Sequence, residues 1–211
     1  MTFSPTNLAA LIIAACFAAG LNVYATLLTL GLLAHAQWIA LPSGLEMLGS
    51  WWVIGVSGVL FAAEFVADKT PGLDLLWNGL HTFVRVPIAA LLAYGASGHL
   101  SPPMQLVAAA MGAAVAMIAH SSKTAARAVV STSPEPLSNI TFSMTEDFAA
   151  VGITWLATLH PWAAASVAIV FMMAAFFMVR WVIRVLARVR DRRLPLVHSK
   201  MASATRGGFG H

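Results

Sequence analysis

The sequence is short of what a water-soluble fold places on its surface. Only 9% of its 211 residues are charged, against 59% that are hydrophobic, whereas a soluble domain carries about 25% charged residues. Mean hydropathy is +0.81, and no Lys or Arg precedes Lys69. So little charge cannot keep the apolar area of the chain in water, which excludes an ordinary soluble domain. A single cysteine, Cys16, sits inside an apolar run. It forms no internal disulfide, so the fold does not depend on oxidation, and a small core residue is its plain role. One cysteine also excludes a thiolate metal cluster, and no His-x-x-x-His or Glu-x-x-His pairing replaces it. Missing too are a glycine-rich phosphate loop after a strand, a Gly-x-Ser-x-Gly elbow and a Ser-x-x-Lys pair. Enzyme chemistry therefore ranks last among the functions considered, and no cofactor or metal is expected.

What the chain does have is long apolar runs. Six can be marked, at about 7–38, 48–67, 86–98, 104–122, 145–160 and 162–186, and a crossing needs roughly 20 residues for a ~30 Å hydrocarbon core. The expected fold is an all-α integral membrane protein of six transmembrane helices. Residues 1–190 would form one polytopic domain and 191–211 a flexible basic tail. The first run is too long for one straight crossing, and Gly20 and Asn22 interrupt it, so a kink or unwound turn is expected there. The third is too short and is expected to start earlier, within Leu80-His-Thr-Phe-Val-Arg-Val-Pro87. The apolar N-terminal run lacks a preceding Lys or Arg and continues past a normal cleavage point, so it reads as a retained helix.

Charge gives the expected orientation. Eight of the twelve Lys and Arg lie from Arg180 to Arg206, beside the last apolar run. Threading six helices with the N-terminus inside also puts Lys69, Arg85, Lys123 and Arg127 on that side, so both termini are expected to be cytoplasmic. Trp38, Trp51, Trp52 and Trp162 then gather at the outer interface. The pI near 9.8 thus points to lipid and not to nucleic acid, and Arg180, Arg184 and Arg188, one turn apart, form a stripe for anionic headgroups.

Two polar inserts break the apolar pattern. In the first, Pro71 opens a short helix near 72–85 in which Asp74, Asn78, His81 and Arg85 share a stripe opposite Leu73, Leu76, Trp77, Leu80 and Val84. It would be interfacial or re-entrant. In the second, His120, Lys123, Thr124, Arg127 and Ser131 extend the fourth helix as a polar face, and Pro134-Glu-Pro136 stops it. Ser143 and Glu146 have capping-box spacing to start the fifth helix, with Asp147 in its first turn.

The stretches GLNVYATLLTLGLLA, EFVADKTPGLDLLWNGLHTFVR and HSSKTAARAVVSTSPEPLSNI, followed by ED, resemble a family of bacterial inner-membrane proteins known as domain of unknown function 4126. The likeness covers most of residues 7–190. It implies an integral membrane protein and supplies no activity. Asn22 departs from the basic residue that the resemblance implies at its position. A weak internal echo of GLNVYAT in SSKTAAR, and of EFVA in DFAA, suggests two inverted three-helix halves, a common transporter plan.

Burying a carboxylate is costly unless it is paired or hydrated, so an acid inside a span is a functional candidate by default. Glu64 and Asp68, four apart, share a helix face. They either form a cation or proton site, completed by Glu146 or Asp147, or simply end their helix at the headgroups. Lys123 and Arg127 either bind an anionic headgroup or carboxylate, or neutralise Glu64 and Glu146 as structural pairs. With Asn22, Tyr24 and Thr26 these residues make the expected pathway for an unknown ion or small solute. His81 and His120 could relay protons near neutral pH, though simple hydrogen bonding explains them equally. The leading reading is a small transporter or channel. The alternative is a non-transporting membrane scaffold or complex subunit, in which the Ala and Gly runs of AAAMGAAVAMIA serve close helix contacts within the chain or in a homo-oligomer.

Overall fold

A computed structural model of the chain describes residues 5–69, 73–130 and 136–181, with 184 and 188. The side chains of 5, 73–78, 127–130 and 136–139 lie outside that description, as do the expected tail at 191–211 and the turn at 131–135. The described elements are helices: α1 (Pro5–Leu21), α2 (Val23–His35), a 3-10 segment η1 (Ser43–Gly49), α3 (Trp51–Ala67), α4 (Leu73–Ala96), α5 (Pro102–Val130) and α6 (Pro136–Leu159). A last helix, α7, spans Pro161–Trp181. The chain divides into two compact units, one up to Met172 and one from Met173 onward. In the second, Met173, Phe176, Phe177 and Trp181 are exposed; Arg180, Arg184 and Arg188 are helical and exposed.

In the first unit large apolar side chains point outward and polar ones inward. On α4, Phe83 is 81% exposed and Leu91 66%, while His81 and Arg85 are buried on the stripe that continues through Ala89, Ala93 and Ala96. Phe171, Leu106 and Met111 are likewise exposed. Such a surface suits hydrocarbon, where an apolar side chain gains nothing by burial and helices associate through close packing. Among the described residues Gly79–Ala96, Pro102–Ala126 and Pro161–Trp181 are long and apolar enough to cross a membrane. A fourth such span exists if η1 and α3, bent by 67°, count as one.

The first apolar run does not cross as one helix. Asn22 separates α1 from α2, and the chain folds back there. Cys16 of α1 and Leu30 of α2 line one small apolar cavity with Leu45 and Leu92. Leu8, near the start of α1, lines another with Ala40, Pro42, Ala96 and His99. The start of α1 therefore lies at the same end as the 36–50 and 97–101 loops. The expectation of an N-terminus on the side of Lys69, Arg85 and Lys123 is corrected within this unit. The physical reason is local: Asn22 leaves the helical region at φ −148°, ψ 105°, and its side chain caps α2 by accepting from Ala25 N–H. At 1.5 Å per residue α1 and α2 are about 26 and 20 Å long, shorter than a ~30 Å core. They form a helical hairpin, each arm shorter than a single crossing.

Small residues let this hairpin lie close to α5, as the Ala-Gly run suggested, and the contact is within the chain. A Cβ on Gly20 would come within 2.6 Å of the Ala116 carbonyl and the Ala119 Cβ, and one on Gly112 within 2.6 Å of the Ala93 Cβ and 2.9 Å of Cys16 Sγ. Two further expectations change. Residues 72–85 form no separate short helix, because α4 runs unbroken from Leu73 to Ala96 with Pro87 inside it. The fifth helix does not start at a Ser143 capping box. α6 begins at Pro136, whose fixed φ suits a first helical turn, and Ser143, Glu146 and Asp147 are buried inside it.

Candidate functional site

The fold-back at Asn22 brings four other helices to one point. Glu64 and Asp68 arrive from the end of α3, His81 and Arg85 from α4, His120 and Lys123 from α5, and Ser143, Glu146 and Asp147 from α6; all are buried. Lys123 lies about two turns before the end of α5, and Arg85 and Asp147 about three turns into α4 and α6. The hairpin tip and the charges thus stop on the order of 10–18 Å short of the ends of those helices.

Lys123 is the hub. Its Nζ lies 3.1 Å from Glu146 Oε2, 3.4 Å from Asp68 Oδ2 and 4.0 Å from Glu64 Oε1. It also donates to the Leu21 carbonyl at 3.0 Å. That carbonyl belongs to the last residue of α1, where unsatisfied C=O groups and the helix dipole favour a cation. The start of α2 has the opposite polarity: Asn22 Nδ2 donates to Asp147 Oδ1 at 2.9 Å, so a carboxylate sits beside the positive end of a half-helix. Lys69 completes this side, with Nζ 3.7 Å from Asp147 Oδ2 and resting over the Phe65 ring.

Arg85, fully buried, donates through Nη2 to Glu64 Oε1 and through Nη1 to His120 Nδ1, the latter at 2.9 Å. A guanidinium only donates, so His120 Nδ1 accepts. Its Nε2 then carries the hydrogen and donates to Thr82 Oγ1 at 2.7 Å. This set fixes His120 as the neutral Nε2–H tautomer. His81 meets the Tyr24 hydroxyl at 3.2 Å, with the rings edge-on. Glu64 Oε2 and Arg85 Nε are buried and have no hydrogen-bond partner, so this Arg–carboxylate contact is a single bond and not a fork.

Of the residues expected to form a pathway, Asn22, Glu64, Asp68, Lys123, Glu146 and Asp147 meet in one network, and Tyr24, in contact with His81, lies within electrostatic reach of Glu64 and Arg85. Thr26 is buried nearby, but its hydroxyl donates to the Asn22 carbonyl and serves the turn. The Arg127 side chain lies outside the described residues. Arg85 and Lys123 are not loop cations, because both are spent inside the bundle, and this removes them from any positive-inside reckoning. Lys69 was left out of the expected pathway, and so was Arg85. The signal for Arg85 was the stripe His81–Arg85 running on into Ala89 and Ala93: polar residues in line with small ones face other helices, whereas Leu80 and Phe83 face out.

Among the described residues no three His, Cys, Asp or Glu side chains are arranged to hold a metal ion. The acids surround an ammonium group, and the arrangement can hold, exchange or relay charge.

The model of a family described as Domain of unknown function (DUF4126) matches residues 9–181, and the chain belongs to that family. No curated protein and no solved structure matches it.

Proposed function

We propose that this member of the DUF4126 family is a small transporter or channel whose polar centre is the network around Lys123. One observation carries the reading: a short helical hairpin ends inside the bundle, with Lys123 on the last carbonyl of one half-helix and Asp147 on the capping residue of the other. Broken helices that aim their ends at a buried polar site are a recurrent way to hold a solute at mid-membrane. Irregular backbone at membrane depth is tolerated where it lines such a site or is buried in protein. The reading places the charged end toward the cytoplasm of a bacterial inner membrane and the tryptophan end outside.

The test is flux in liposomes containing the full chain, with alkali cations, protons and small carboxylates as probes. The reading expects flux of at least one probe, lowered about tenfold or more in Glu64→Gln. No flux of any probe in either form defeats it.

A second reading, a non-transporting scaffold, is favoured by the pairing itself. Each described cation of the cluster already faces a carboxylate, which is all that a structural network requires. It predicts that exchanging the Glu64–Arg85 pair for well-packed apolar residues leaves the protein folded and its role intact.

A further inference from the structure

We propose that the crevice between α1 and α5 at the tryptophan end is a phospholipid site, with one acyl chain lying in the crevice and the phosphate region at His99. The site is separate from the charged cluster and stands whether or not the protein transports anything.

The seam between α1 and α5 changes character along its length. Toward the charges it is closed: a Cβ on Gly20 would come within 2.6 Å of the Ala116 carbonyl, and one on Gly112 within 2.9 Å of Cys16 Sγ. Nearer the tryptophans it opens. Ala9, Ile12 and Ile13 of α1 and Ala108, Met111 and Val115 of α5 line a cavity of about 200 Å³. Ala9 and Ala108 are too small to fill it. Ala9 and Met111 are exposed, so the cavity opens on the same surface that turns its large apolar side chains to hydrocarbon.

A second cavity, of about 260 Å³, shares Leu8 and His99 with the first. Ser43, Gly98 and His99 give its wall a polar part. An apolar slot joined to a polar pocket suits a molecule with a tail and a head, the few polar groups fixing its orientation.

Position identifies that molecule. His99 lies in the 97–101 loop, at the end where the exposed Trp38, Trp51, Trp52 and Trp162 mark headgroup depth. From Ala108 to Val115 the slot follows α5 for about 10 Å, inside the roughly 15 Å of one leaflet. A helix of a second copy, about 10–12 Å across with its side chains, is too thick for a slot of this volume; a single hydrocarbon chain is not. Among the described residues no Asp, Glu, Lys or Arg lines either cavity. A phosphate there meets no like charge, and no fixed cation selects an anionic headgroup over a zwitterionic one. The Ser43 hydroxyl and the His99 ring offer donors for its oxygens. The chain so held covers Ile12 and Ile13 and closes the upper seam, as Gly20 and Gly112 close the lower one.

Photo-cross-linking of the full chain tests this. The protein is reconstituted in phosphatidylcholine vesicles carrying a phosphatidylcholine with a diazirine in one acyl chain. An excess of unlabelled vesicles is then added, the sample is illuminated, and adducts are mapped by mass spectrometry. Adducts at Ile12, Ile13 and Met111 are expected to outlast those on Phe83 and Leu91, which face bulk lipid. Ala108→Phe should remove the crevice adducts and leave those on Phe83 and Leu91 unchanged. His99→Ala should shorten their retention about three- to tenfold, as the loss of one hydrogen bond implies; this surface variant carries the test should Ala108→Phe fail to fold. Crevice adducts that exchange as fast as those on Phe83 and Leu91 mean annular lipid only and overturn the proposal. Adducts that survive Ala108→Phe overturn it as well, and retention unchanged in His99→Ala overturns the placing of the phosphate. An unlabelled crevice whose α1 and α5 are buried against a second copy also overturns it.

Discussion

The two ends of the bundle are built on opposite principles. At one, α1 and α2 meet α3, α4, α5 and α6 through Leu21, Asn22, Glu64, Arg85, Lys123 and Asp147, and almost every contact is an ion pair or a charged hydrogen bond. At the other, Trp38, Trp51, Trp52 and Trp162 are exposed. There Trp38 lies beside Trp155 and His35 beside Trp51, and the backbones of Gly44 and Gly95 touch. The tryptophan end follows the ordinary rules of a membrane interface, with indoles at headgroup level and small residues where helices approach. The charged end breaks them, since desolvating each ion costs several kcal/mol that pairing only roughly offsets. Stability alone gives no reason to build it, which is why function is sought there.

Substitutions sharpen the contrast. The largest effect is expected from Arg85→Ala, which strands Glu64. A broken buried pair costs about 3–5 kcal/mol, readable as a loss of unfolding free energy in detergent, and Arg85→Met combined with Glu64→Met should recover most of it. A double variant no more stable than Arg85→Ala would show that the pair itself holds the bundle. Next comes Gly20→Ala at the hairpin contact with α5, expected to cost about 1–3 kcal/mol through overpacking. Gly55→Ala, with nothing within 4 Å of the added Cβ, is the neutral control for the same melts. Asn22→Ala removes a helix cap and the partner of Asp147 and should cost about 0.5–2 kcal/mol; Asn22→Asp keeps the cap but sets a second carboxylate against Asp147, and should be the worse of the two. Smallest of all is Trp52→Leu at the exposed start of α3, expected to stay within about 0.5 kcal/mol. A larger loss there would erase the distinction between the two ends.

Much of the charged end was legible because membrane burial leaves an acid few choices. Glu64 and Asp68 in an apolar helix demanded cations, and Lys123 on a polar stripe supplied one. The break at Asn22 was legible for a similar reason, since Gly20 and Asn22 interrupt an apolar run too long for one crossing. Its direction was not. A helix that kinks and one that doubles back have the same composition, and the choice was made by the close contacts Gly20 allows with α5. Ser143-x-x-Glu146 misled because its spacing also fits two inward turns of a longer helix, and Pro136 had already supplied the start. Arg85 was hidden because a stripe of polar residues opposite leucines looks the same on an interfacial helix as on one whose exterior is lipid. Only the outward Phe83 and Leu91 tell them apart.

The central claim is that the first apolar run turns back inside the bundle and delivers Leu21 and Asn22 to the charges. It is tested most directly by cross-linking. In a Cys16→Ala background, Leu8→Cys and His99→Cys should be joined by a short bismaleimide in native membranes, since both residues line the same cavities at the tryptophan end, while Leu8→Cys with Val66→Cys should not react. A cross-link to position 66 and none to position 99 would mean that α1 starts at the charged end, and the hairpin would be contradicted.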